Sequence, residues 1–210
     1  AFRQAWDPIY AGNLSCPTSA WANFLAKYGD HCVSQQPYVL PPIEPEDLLE
    51  NVLAAAHTAG SLDGWIPKDL GILNLTSVIY ITSMLNAIEA GAAWPAATLA
   101  ARTACLPKTP EAEAPLEFRM LSILSVVYRR WASLRLGHLS PWVKTWAPQE
   151  AFAGIGGRGA EEANWLAALD VEEAKLGKQD ISGMVTDLYK CFDQISPDIL
   201  LNLLTMAGCP

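Results

Sequence analysis

What this sequence lacks narrows its class before any motif is read. Its longest apolar stretches are broken by Asn, Thr or Gly well short of the roughly 20 residues that a membrane-spanning helix needs. It shows no positively charged stretch followed by an apolar core and a small-residue cleavage site, so no targeting segment is visible. The five cysteines, at 16, 32, 105, 191 and 209, form no C-x-x-C and no paired spacing. An odd, scattered set argues against a disulfide framework and fits reduced, intracellular thiols. Cys16, His31 and Cys32 lack a fourth ligand at finger spacing, so a structural zinc is not expected. Internal repeats and low-complexity tracts are absent as well. Cations are scarce: 14 basic residues stand against 22 acidic ones, for a net charge of −8. That balance is unfavourable for a nucleic-acid partner unless the charges are unevenly placed.

They are unevenly placed. Residues 101–144 hold seven basic and three acidic residues, while the segments on either side are each net acidic. Half of all the cations therefore fall in one short stretch, which is either a solvated basic surface or a contact for polyphosphate. With 210 residues, 51% of them apolar, the chain has enough material for one domain or one and a half. It begins at Ala1 without a Met and stops at Pro210 just after a helix, and is expected to be an internal piece of a longer polyprotein.

The pattern predicts an α+β, helix-rich chain. Residues 1–40 give a weak signal, with a helix around Ser19–Tyr28 closed by Gly29, and Pro37–Pro45 reads as an extended connector. From Glu46, Leu48, Leu49, Val52, Leu53 and Ala56 make one apolar helical face that ends at Gly60. A single helix is expected over Lys68–Ala90, with Leu75, Val78, Ile79, Thr82, Leu85 and Ile88 inward. Leu99–Leu106 and Phe118–Leu124 read as strands joined by the polar turn Thr109–Pro115. Helices follow over Ser125–Leu136, stopped by Gly137, and Glu161–Leu176, stopped by Gly177. Ile181–Leu188 reads as a short buried strand with Met184 and Val185 at its centre. Ser196-Pro197-Asp198 then opens a last helix: Ser caps, Pro takes the first position, and Asp favours the positive end.

The segment Asp187-Leu-Tyr-Lys-Cys-Phe192-Asp193 sets two carboxylates beside an aromatic at a strand's end. Asp187 there either caps the following turn or holds a divalent cation, since an apolar strand gains nothing from an unpaired carboxylate. The segment resembles the D-(L/I)-x-K-A-F-D palm motif of reverse transcriptases from non-LTR, LINE-like retroelements. Upstream, the stretch from Phe118-Arg119 to Tyr128-Arg129 is similar to their Y-R-P-I-S-L-L-S-V-x-Y-K fingers segment. Gln149-Glu-Ala-Phe152 with Gly157-Arg158-Gly159 resembles Q-x-G-F-x-x-G-R-(S/T), and Leu106-Pro-Lys108 resembles I-P-K. Leu62-Asp63-Gly64-Trp65 is similar to G-x-D-G-(W/I/F), and Trp94-Pro95 to the W-P that follows it. Each match alone is weak; all six stand in family order over about residues 60–210.

The resemblance implies an N-terminal linker or extension over 1–40, reverse-transcriptase fingers over 41–180 and the truncated start of a palm over 181–210. It implies nucleotidyl transfer from a deoxynucleotide to a primer 3′ hydroxyl on an RNA template, with two Mg²⁺ ions stabilising the attacking and leaving oxygens. Asp187 would be the first metal ligand, with the Leu188 carbonyl beside it, and Asp193 would either bind metal or order the turn. The family's second carboxylate motif, aromatic-x-Asp-Asp, is not in this chain, so the isolated piece is expected to be inactive without the remaining palm and thumb. Phe192 matches the aromatic gate that disfavours a 2′-hydroxyl, against the plainer reading of a core Phe. Arg119 would contact the triphosphate, its planar fork matching phosphate oxygens, and Lys108 is either a second, more mobile cation or a solvated loop-tip Lys. Gln149 and Phe152 would shape the nucleotide and template pocket, and Arg129, Arg130 and Arg135 would track template phosphates. Asp63 and Gly64 read as a structural turn.

Three positions depart from the family pattern: Met120 for Pro, Ala151 for Gly, and Gly159 for Ser or Thr. They leave room for a second reading, a degenerate or domesticated remnant that binds nucleic acid or assembles without catalysis. A Mg²⁺ phosphohydrolase using Asp187 and Asp193 is disfavoured, because no nucleophile motif or general base accompanies them. The expected setting is intracellular, nucleus or cytoplasm, with retroelement RNA and no membrane.

Overall fold

The computed structural model describes residues 1–11, 18–33, 35, 37–55, 58–188 and 190–210. Cys16, Ala56 and Tyr189, which entered the sequence reading, lie outside the described residues. In chain order the helices are α1 (Phe2–Ala11), α2 (Thr18–Tyr28), α3 (Pro45–Leu53), α4 (Pro67–Gly71), α5 (Leu75–Glu89) and α6 (Ala96–Leu99). Two strands follow, β1 (Arg102–Pro107) and β2 (Phe118–Ile123), then α7 (Val126–Trp146), α8 (Ala160–Leu176) and α9 (Pro197–Met206). The fold is thus helix-rich with one small antiparallel hairpin, compatible with the expected α+β class. By packing, the chain divides into two compact units, Ala1–Trp6 with Val39–His138, and Asp7–Tyr38 with Leu139–Pro210.

The first unit holds nearly all of the core. Leu48 and Val52 of α3, Leu70 of α4, Val78 and Leu85 of α5, and Val126 and Leu134 of α7 bury together with Ile43 of the proline connector. The connector is fixed by a side chain. Asn86 on α5 donates to the Ile43 carbonyl at 3.0 Å and accepts from its N–H at 2.9 Å, so both polar groups of a buried extended residue are satisfied at once. The aromatic rings of Trp94, Tyr128 and Trp131 pack with centroids 5.0 to 5.4 Å apart, which makes Trp94 of the W-P pair a packing residue.

The hairpin pairs Arg102 with Ile123 through to Pro107 with Phe118. Its second strand lies within the expected one and its first ends one residue beyond it, at Pro107, while Leu99 ends the short helix α6 instead of opening a strand. Phe118 and Met120 share the better-buried face, and Arg119 shares the opposite face with Leu121.

Four expected elements are corrected. The predicted helix Lys68–Ala90 is two helices, because α4 closes at Leu70–Leu73 and Asn74 accepts from Ser77 N–H at 2.9 Å to cap α5 afresh. The resulting face buries Val78, Thr82, Leu85 and Ile88 but leaves Leu75 and Ile79 exposed. Gly137 does not stop α7, which runs on through Pro141. Pro141 lacks the N–H that would bond to the Gly137 carbonyl, so the two helix-disfavouring residues fall on one missing bond. Ser196 precedes α9 with Pro197 at its first position, yet its hydroxyl makes no capping bond and is buried without a partner. Finally, Ile181–Leu188 forms no strand, and Met184 and Val185, expected at its buried centre, are almost fully exposed. A strand must share its backbone groups with a neighbour, and β1 and β2, the strands among the described residues, pair with each other. The sequence reading also missed α1, whose internal Pro8 masked its helical pattern.

Candidate nucleotide and nucleic-acid site

The residues singled out by sequence fall into four places. On the hairpin of the first unit, Arg119 is the second residue of β2, opposite Leu106, and its side chain is exposed. Lys108 follows β1 directly, anchored by its backbone N–H to the Glu117 carbonyl at 2.9 Å, with its own side chain exposed. Glu117 in turn accepts from the backbone N–H groups of Ala114 and Glu113 at 2.9 and 2.8 Å. Those two bonds, and to a smaller extent the Lys108 charge, hold its carboxyl below the ordinary glutamate value. The hairpin therefore carries both cations at one end, held by backbone pairing that costs them no donor.

The basic helix α7 is different. Arg135 is buried, and its guanidinium bonds to both carboxylate oxygens of Glu89, to the Pro41 carbonyl at 2.8 Å and to His138 Nδ1 at 2.8 Å. The expectation that Arg135 tracks template phosphates is corrected: its donors are spent inside the fold. Burial by itself would raise the Glu89 carboxyl, but hydrogen bonds from Arg135 and Trp131 and the charges of Arg135 and His138 bring it below the ordinary value. Arg129 is half-buried and donates to Thr58 Oγ1 at 3.2 Å and to the Ala59 carbonyl at 2.6 Å, holding the loop that leads to Asp63. Arg130 is half-buried, with one long bond of 3.5 Å to the Asn51 carbonyl and an Nε that is buried without an acceptor. Burial first, and then the neighbouring Arg129 charge, lower its guanidinium from the ordinary value. Asp63 and Gly64 make the turn expected of them: Asp63 accepts from Trp65 N–H at 3.1 Å, and Gly64 sits at φ +75°, where a side chain would be strained.

In the second unit, Gln149 and Phe152 line one open cleft with Arg158, Glu161, Glu162 and Trp165. Arg158 bonds to the carbonyls of Pro148 and Ala151, the latter at 3.2 Å, which closes the Gln149–Phe152 loop over it. Gly154 and Gly157, at φ +74° and +84°, let the chain turn back so that Arg158 can reach. Sequence reasoning quoted Arg158 without a role and did not single out Trp165 at all; its exposed position on α8 is legible only after the helix is placed.

Asp187 and Leu188, also in the second unit, lie on an exposed segment without regular structure. Phe192 opens a short 3-10 turn, Phe192–Gln194, with its ring 91% exposed, so the plain core reading of this Phe does not hold. Asp193 is half-buried and accepts from the Tyr10 hydroxyl at 3.2 Å, while its N–H donates to the Lys190 carbonyl at 3.0 Å. Burial and then the Asp193 charge raise the Tyr10 hydroxyl above its ordinary value. Among the described residues no three His, Cys, Asp or Glu side chains converge as a metal ligand set. A lone exposed carboxylate at Asp187 is compatible with magnesium that takes its other ligands from phosphate and water. Among the described residues, no helix is long and apolar enough to cross a membrane. No family model and no curated protein matches this chain.

Proposed function

We propose that this chain is the fingers and the start of the palm of an RNA-directed DNA polymerase of a non-LTR, LINE-like retroelement. The observation that carries the reading is the order of six motifs ending on Asp187 and Phe192, both of which stand exposed and free for a substrate-side role. Exposed cations at Lys108 and Arg119 support it from the hairpin. When bound, Mg²⁺ would neutralise phosphate charge during transfer, and Asp187 is the residue of this chain that would hold it, with the Leu188 carbonyl. Arg119 and Lys108 would orient the triphosphate, and Phe192 would test the sugar for a 2′-hydroxyl. The partners are an RNA template, a DNA primer, deoxynucleotides and the remaining palm and thumb, in an intracellular setting with the element's RNA.

A second reading, a domesticated remnant that binds nucleic acid without catalysis, is favoured by Arg135, which is buried and internally paired, and by the irregular backbone around Asp187. The discriminating experiment uses a longer form of the protein that carries the aromatic-x-Asp-Asp motif. Magnesium-dependent deoxynucleotide incorporation on an RNA template, lost in Asp187→Ala, is expected. Template binding that is indifferent to magnesium and to Asp187→Ala, with no incorporation, would leave the remnant reading standing.

A further inference from the structure

The hairpin leaves one strand edge open, and its register says which groups are free. Lys108 donates its N–H to the Glu117 carbonyl opposite it at 2.9 Å. Hydrogen-bonded pairs recur every second residue along an antiparallel ladder, so Leu106, Ala104 and Arg102 bond across to β2. Thr103, Cys105 and Pro107 then turn their backbone groups away from β2. Pro107 has no N–H to offer, which suits an outer position. Thr103 and Cys105 are exposed, and among the described residues their N–H and C=O groups have no partner. The outer side of β2 is not open in this way. Phe118 donates its N–H to the Pro115 carbonyl, its ring meets Phe2 with centroids 5.1 Å apart, and Met120 is half-buried.

An unpaired edge accepts another strand unless charge or proline blunts it. Arg102 and Pro107 mark the two ends of β1, and the residues between them, Thr103–Leu106, are uncharged. One face of the strand sets the chemistry of its partner. Arg102, Ala104, Leu106 and Lys108 project to the same side, with Leu121 opposite Ala104 and Arg119 opposite Leu106. Leu106 and Leu121 are 48% and 44% exposed, and Arg102, Lys108 and Arg119 are exposed as well. Glu117, opposite Lys108, turns its carboxylate onto the N–H groups of Ala114 and Glu113. The face is therefore apolar at its centre and cationic at both ends. We infer that β1 docks an antiparallel strand of a partner protein, aliphatic opposite Ala104 and Leu106 and acidic opposite Arg102 and Lys108. Thr103 and Cys105 supply its backbone bonds. Arg102, Ala104 and Leu106 fall at non-hydrogen-bonded pairs, where facing side chains approach most closely. Nothing in this docking needs a nucleotide, magnesium or Asp187.

The probe is the end-blocked peptide Glu-Thr-Val-Thr-Val-Thr-Glu, which spans the edge from Lys108 back to Arg102, titrated into the isotope-labelled 210-residue chain and followed by NMR. The amide resonances of Thr103 and Cys105 are expected to shift saturably, and their hydrogen exchange to slow. Replacing both terminal Glu by Lys should weaken binding about tenfold, since like charges then oppose Arg102 and Lys108. Arg102→Glu combined with Lys108→Glu, both on exposed side chains, should reverse the preference between the two peptides. The fourth and sixth peptide residues face Cys105 and Thr103, so N-methylation at both should abolish binding. The N–H groups of the third and fifth point away from β1, and N-methylation there should leave it unchanged. No saturable shift, equal binding of the two peptides, or equal loss from either pair of N-methyl groups would overturn the inference. So would shifts of the same amides on raising the protein concentration without peptide, because a second copy then holds the edge. Deoxynucleotide incorporation by the longer form bears on none of these readouts, so either test can fail while the other stands.

Discussion

Burying a guanidinium requires an acceptor for the donors that leave water and a counter-charge for the cation. Arg135 has both, in Glu89 and the Pro41 carbonyl, and Trp131 donates its indole N–H to the same Glu89 carboxylate at 2.7 Å. Removing the carboxylate strands a buried cation. Glu89→Ala should therefore lower the free energy of unfolding by about 3 kcal/mol, read from urea denaturation followed by circular dichroism, while Glu89→Gln should cost less. The lowered Glu89 carboxyl gives the direction of the pH dependence. A carboxylate held below its ordinary value contributes stability that is complete above that value, about pH 4.3, and is lost as pH falls through the lowered folded value. Glu89→Gln should flatten that part of the acid limb of the stability profile.

Elements in this chain are defined by their ends. The interruption between α4 and α5 exists because Asn74 turns its side chain onto Ser77 N–H. Asn74→Ala should destabilise the first unit by about 1 kcal/mol, and Asn74→Gly by only a few tenths; thermal unfolding of the two variants side by side checks the ordering. Gly71 at the end of α4 and the Asn74 cap were the local signs of the break, and the apolar periodicity across Lys68–Ala90 concealed them. The polar turn after β1, the Asp63–Gly64 turn and the Pro197 start of α9 were legible because each rests on a residue's own backbone preference. The strand at Ile181–Leu188 was not, because its existence depends on a partner and no local pattern specifies one. For the site, the motif residues were legible by kind, but not which cations turn inward. Arg129, Arg130 and Arg135 differ in burial through what faces α7 from α3, α5 and the connector, and a charge count carries none of that.

At the scale of the whole molecule, stability should be distributed as unevenly as the core. Ile43, Leu48, Leu70, Val78, Leu85 and Val126 bury in the first unit, whereas the well-buried apolar residues recorded in the second are Ala174 and Ala207. Amide hydrogen exchange should be slowest in α5 and the first half of α7, and fastest over Lys178–Leu188, with α8 in between. Equal protection in α5 and α8 would contradict this distribution. The exposed stretch from Ile181 to Leu188 has one more consequence, which concerns solubility. It has no regular structure, is apolar and β-branched in part, and Asp187 is its single charged side chain. Such a segment is a template for intermolecular strand pairing, and one charge within it acts as a gatekeeper against self-assembly. The carboxylate proposed to hold a metal should thus also limit self-association of this stretch, and a neutral substitution at 187 is expected to lower solubility, read by light scattering, as well as remove a ligand.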